Sequence, residues 1–245
     1  MKLNPLQQIL TSLSKQKIKA VIKLINIEIL GALGDNKYLI QQGIHKLTAI
    51  SDQNLSLHEK YWAVLKTDND TTVISNLVKY PHLLKDVQYL SNILQTDELN
   101  TILKKQNPIE ALKDVLLQTA SHATSKDQFT QISNLLLPLL QNIMTIPLKY
   151  KGHFGVFQLK KRYNKKNKKL QIDFYAAFYN LGPISGVISL LDDITIINIS
   201  VAFISTKLFL EQHLKDINYT ITIRLKQNID ALSDAASSGI LDVNV

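Results

Sequence analysis

Leu170-Gln171-Ile172-Asp173-Phe174-Tyr175-Ala176-Ala177-Phe178 is the stretch that decides how the C-terminal part of this chain folds. Its apolar side chains fall mainly on even positions, the period of two that a strand with one buried face requires. Asn180-Leu181-Gly182-Pro183 ends the run. Gly182 supplies backbone freedom, while Pro183 fixes φ and lacks an amide donor, which suits a turn or the first residue of a strand. A new strand is expected from Ile184 to Leu191. Asp192-Asp193 separates it from Ile194 to Phe203, a run too rich in Ile and Val to prefer a helix, so the two runs read as a hairpin.

Downstream, Ser205 is expected to cap a helix whose apolar face is Leu208, Phe209, Leu210, Leu214 and Ile217. Tyr219 to Leu225 alternates again. A short helix through Ala231 and Ala235 is expected to end near Gly239, before a last strand from Leu241 to Val245.

Over residues 154–245 this order resembles the C-terminal domain of bacterial flagellar hook-length control proteins, with a looser likeness across the rest of the chain. The resemblance rests on a strand, then Leu181-Gly182-Pro183-Ile184 with Gly186 and Ile188, a tight turn, a second strand, and a helix of roughly Thr206 to Ile217. It implies a non-enzymatic export substrate that switches the flagellar type III export gate from hook-type to filament-type cargo. The implied partner is the cytoplasmic domain of the gate's switch protein, with hook and hook-cap proteins as further partners. The implied location is the cytoplasm, with passage through the export channel. By family analogy the contact region includes Leu181, Gly182, Pro183 and Ile184. The family's long extended ruler segment has no counterpart here, since no Pro/Ser-rich linker or repeat is evident.

Upstream of that domain, charge is concentrated. The chain carries a formal net charge of +8. The segment from Lys149 to Lys169 holds nine Lys or Arg and no Asp or Glu, so the remainder is close to neutral. Lys160, Lys161 and Arg162 close a candidate strand that starts near Phe154, and Lys165, Lys166, Lys168 and Lys169 lie in the loop that follows. A basic hairpin tip results, interleaved with Tyr150, Phe154, Phe157 and Tyr163. Such a patch suits an acidic protein face, a nucleic acid or an anionic membrane surface, or simply keeps a sheet edge solvated.

Residues 17–80 carry turn clusters at Gly34-Asp35-Asn36, Ser51-Asp52-Gln53-Asn54 and Thr67-Asp68-Asn69-Asp70. That rhythm predicts a small barrel of about five strands resembling an OB-fold. Ile18, Ala20 and Ile22 alternate with lysines before the phase flips to Ile25, Ile27 and Ile29, so a bulge is expected near Leu24. Residues 17–33 also permit an apolar helical stripe. From Pro81 the texture turns helical, with starts at Thr96-Asp97-Glu98 and Asn107-Pro108 and stripes at Leu112, Val115, Leu116 and at Ile132, Leu135, Leu136, Leu139, Ile143. Pro138 is expected to kink or shorten the last helix, and Pro147 to mark a boundary.

The reading is therefore α+β: a lead of residues 1–16, a barrel over 17–80, a helical segment over 81–147, and a C-terminal mixed sheet with one main packing helix over 148–245. No cysteine is present, which excludes disulfides and thiolate metal sites. The start of the chain lacks a signal peptide's apolar core, and no run is long enough to span a membrane. The six histidines show no paired metal-site spacing, Gly31 and Gly34 lack the rest of a dinucleotide loop, and Ser185-Gly186 lacks a nucleophile elbow's first glycine. No catalytic residues, cofactor, metal or small-molecule substrate is expected. The alternative function is a basic nucleic-acid-binding module built from the barrel and the Lys160 to Lys169 hairpin.

Overall fold

The structure, a computed structural model, describes residues 24–68, 71–90, 96–150, 152–164, 169–191 and 194–234. Strands β1 (Ile25–Gly34), β2 (Lys37–Gln42), β3 (His45–Ser51), β4 (Lys60–Asp68) and β5 (Thr71–Lys79) close into a barrel in the order β1-β2-β3-β5-β4. Antiparallel β4 returns to β1 with Ile25 opposite Ala63 and Ile27 opposite Tyr61. β3 and β5 meet in parallel, Ile50 beside Val73.

Period-two patterning produces the barrel core. Ile25, Ile27 and Ile29 point inward and meet Tyr38, Ile40, Ala49, Tyr61, Ala63 and Ile74. The β1–β2 connection is the two-residue turn Asp35-Asn36, with φ of 49° and 58°. Both central residues must adopt positive φ to match the strands' twist, and Asp and Asn tolerate that region better than other non-glycine residues. The β1–β2 register shifts between Ile29 and Gly31 and again between Ala32 and Gly34, and the bulge expected near Leu24 concerns a phase change that starts outside the described residues. Leu24 itself is buried, and the alternation expected over 17–23 falls outside the described residues.

Helices α1 (His82–Leu90), α2 (Thr96–Leu103), α3 (Pro108–Ser121) and α4 (Lys126–Leu139) follow. Pro108 opens α3 where its missing N–H costs nothing. Ser125 caps α4 by accepting from the Gln128 amide. Pro138 sits in the last turn, and α4 stops one residue later. Ile143, read as part of that helix's stripe, instead opens a strand, and Pro147 lies inside the same strand rather than at a boundary. No described helix is long and apolar enough to cross a membrane.

The second sheet has six strands in the order β11-β10-β9-β8-β7-β6. These are β6 (Ile143–Tyr150), β7 (His153–Asn164), β8 (Lys169–Phe178), β9 (Gly182–Leu191), β10 (Ile194–Val201) and β11 (Thr220–Leu225). β6, β7 and β8 run antiparallel, whereas β10 and β11 are parallel and joined by α5 (Ile204–His213), so the sheet is mixed. A parallel pair needs such a crossover.

Phe203, not Ser205, occupies the cap position of α5 and makes no side-chain cap bond; Ser205 is buried in the first turn. The helix ends at His213 rather than Ile217, and Leu208 is half exposed instead of facing the core. Residues 226–234 contain no helix, so the short helix expected through Ala231 and Ala235 does not include Ala231. Asp192, Asp193, Ala235, Gly239 and the strand expected from Leu241 lie outside the described residues.

The chain divides into two compact units, one of Met1–Tyr80, Tyr179–Ile184 and Leu191–Ile229, the other of Pro81–Phe178, Ser185–Leu190 and Asp230–Val245.

Candidate functional site

In the first unit, the Leu181 to Ile184 corner is built into the interior. Gly182, Pro183 and Ile184 are buried and Leu181 is partly so. Gly182 has φ +73°, and a Cβ placed there would lie 2.7 Å from two ring carbons of Phe203 and 3.4 Å from Leu24 Cδ2. Only glycine satisfies both the backbone and the space. The Thr206 hydroxyl donates to the Leu181 carbonyl at 2.6 Å, so α5 holds the corner from its first turn.

Trp62 extends this junction. It occupies the opposite parity from the inward Tyr61 and Ala63, yet is fully buried. Its indole N–H donates to the Tyr179 carbonyl at 3.1 Å. Its ring lies 4.0 Å from that of Tyr80, which in turn stacks on Tyr179 at 5.8 Å. Burial, and secondarily Tyr179, pushes the Tyr80 phenol well above its ordinary value, so it stays neutral. These contacts position the corner and offer no reactive group.

In the second unit, β7 and β8 form the basic hairpin, with Lys160 opposite Asp173, Lys161 opposite Ile172, Arg162 opposite Gln171 and Tyr163 opposite Leu170. Arg162 Nε reaches both Asp173 carboxylate oxygens, at 2.9 and 2.8 Å. Its charge is therefore partly spent within the hairpin, in a half-exposed pair that contributes little stability. Lys161 and Arg162 are exposed and Lys160 is partly so. Tyr163 is 58% exposed and Leu170, directly opposite, 47%. Phe157 turns instead to Phe174, 6.1 Å between ring centres, and Lys149 lies over Phe154 at 5.6 Å. Lys169 opens β8, while Lys165, Lys166 and Lys168 lie outside the described residues.

A polar centre in this unit was not foreseen from sequence. Gln158 is fully buried in β7. Its amide nitrogen donates to Thr145 Oγ1 at 3.2 Å and to the Ser233 carbonyl at 2.7 Å, and its oxygen accepts from the Leu232 and Ser233 amides at 2.9 and 3.3 Å. Asp234 accepts from the His82 amide at the start of α1. Buried Tyr175 is held above the ordinary phenol range by desolvation first, and then by Asp234 and Asp230. The only sequence hint was a glutamine at an inward strand position.

Among the described residues no group of three or more His, Asp or Glu is arranged to hold a metal ion. Compared with models of known families, with curated proteins and with solved structures, the chain matches none.

Proposed function

We propose that this chain is a non-enzymatic flagellar hook-length control protein that acts in the substrate-specificity switch of the type III export apparatus. The observation that carries the reading is the succession β8, Leu181-Gly182-Pro183 corner, β9, β10, α5, β11, which follows the order that the family resemblance implies. The tight fit of Gly182 against Phe203 gives that motif a physical reason to be retained. On this reading the corner acts as the internal joint of the domain, and the partner, the cytoplasmic domain of the gate's switch protein, meets surfaces carried by the surrounding strands. The chain works in the cytoplasm and passes through the export channel. Calorimetry with the purified chain and that cytoplasmic domain tests the pairing; saturable binding supports it, and no heat at high concentration refutes it.

A second reading assigns nucleic-acid binding to the barrel and the basic hairpin. The strand order β1-β2-β3-β5-β4 with a parallel β3–β5 closure favours an OB-like barrel, a common oligonucleotide binder. Against it, the aromatics of the barrel segment, Tyr38, Tyr61, Trp62 and Tyr80, are all buried and leave no stacking platform for bases. Exposed Tyr163 beside Lys161 is the remaining candidate contact. Binding that falls steeply with salt would favour this second reading.

A further inference from the structure

The two terminal strands of the six-stranded sheet are finished differently. β6 carries Pro147 in mid-strand, which removes a donor and blunts an edge. β11 reads Thr220-Ile221-Thr222-Ile223-Arg224-Leu225, alternating β-branched and without proline, glycine or register shift. It pairs with β10 alone among the described residues.

The pairing fixes which backbone groups of β11 turn away from β10. In parallel ladders alternate residues of each strand bond to the neighbour. The Lys226 amide donates to the Val201 carbonyl at 3.0 Å, continuing the ladder in which Val201 faces Leu225. Even-numbered residues of β11 therefore turn their N–H and C=O toward β10, and Ile221, Ile223 and Leu225 turn theirs outward. Side chains divide the same way. Ile221, Ile223 and Leu225 continue the apolar row of Ile197, Ile199 and Val201, whereas Thr220, Thr222 and Arg224 lie on the opposite, polar face. The apolar row is buried in β10, yet on β11 Leu225 is 50% exposed and the two isoleucines are partly so.

Charge narrows the occupant. Arg224 and Lys226, at the C-terminal end of the strand, are exposed, and neither has a carboxylate partner among the described residues. We infer that the free edge of β11 is a docking site for an extended strand of another protein, which alternates apolar residues with polar ones and places an acidic side chain beside Arg224. Main-chain bonds to Ile221, Ile223 and Leu225 supply affinity, the apolar row is extended by one strand, and Arg224 selects the acidic register. A second copy of this basic chain brings no carboxylate to that position from its own β11. The inference stands whether or not the partner is a flagellar protein.

The test uses a fluorescein-labelled six-residue capped peptide that alternates valine with threonine and carries one central glutamate, with a lysine version as control. Anisotropy with the full chain is expected to show saturable binding of the glutamate peptide and about tenfold weaker binding of the lysine peptide. Ile223→Pro removes one outward amide without touching the β10 ladder and is expected to abolish binding; Arg224→Glu, which leaves the backbone intact, is expected to reverse the preference between the peptides. Unchanged Trp62 emission certifies that each variant is folded. Equal binding of both peptides, or undiminished binding by the two variants, overturns the inference. So does a concentration-dependent dimer that excludes the peptide, or binding that appears only after residues 235–245 are removed, because the edge then belongs to a second copy or to the chain's own end.

Discussion

The hydroxyl of Thr206 in α5 donates to the carbonyl of Leu181, 25 residues earlier, so the helix that links β10 to β11 also fixes the corner that starts β9. Thr206 is buried, and its Oγ1 is part of the joint rather than of the surface. Thr206→Val keeps the shape and leaves a carbonyl without this partner. We expect a loss of about 1–3 kcal/mol, read as a lower urea midpoint with an unchanged slope.

Gly182→Ala meets two costs at once, a left-handed backbone and a ring 2.7 Å from the new methyl group. The expected destabilisation is about 2–4 kcal/mol. Adding Phe203→Leu should recover part of it, by removing the clash but not the backbone strain. Full recovery would show that φ at this position costs nothing.

Gln158→Leu strands two amides and a carbonyl of residues 232–233 in the second unit. Loss of about 1–3 kcal/mol is expected, with faster hydrogen exchange concentrated at residues 229–234. Uniform acceleration across the chain would instead mark Gln158 as an ordinary packing residue.

Alkaline stability follows from Tyr80 and Tyr175. Both phenols are raised above the ordinary value of 10.0, chiefly by burial. Above that pH the unfolded chain has released these protons while the folded chain retains them, so the unfolded state binds fewer protons and stability falls as pH rises. It is unaffected by these groups below about pH 9. Ultraviolet titration should show Tyr80 and Tyr175 ionising only with unfolding.

The strands of the second sheet were legible because their alternation is local, in Leu170 to Phe178 and Tyr219 to Leu225, although the single buried face expected of the first is not what forms: β8 buries Phe174, Tyr175, Ala176 and Ala177 in succession, on both faces. The barrel was legible for the same reason, and because Asp35-Asn36 suits a turn with two positive φ angles. What sequence misplaced depended on distant partners. Ser205 has the chemistry of a cap, yet tertiary packing buries it and begins the helix two residues earlier, after Phe203, whose ring fills the space beside Gly182. Ala231 lies in a segment with helix-forming residues, but Gln158, some 75 residues away, captures the adjacent backbone amides. The place of β11 at the end of the sheet among the described strands was invisible because sequence alone does not order strands. Of the candidate site, the concentration of Lys and Arg from Lys149 to Lys169 was readable in the sequence, whereas the hairpin's register, the exposure of Tyr163 and the burial of Gly182, Pro183 and Ile184 required the fold.

The central claim is that this chain switches flagellar export by binding, and hook length measured by electron microscopy in a strain lacking it tests that claim most directly, with filament-protein export assayed alongside. Overlong hooks without filaments, restored by the intact chain but not by one truncated before Leu181, are the predicted result. Hooks of normal length bearing normal filaments would contradict it.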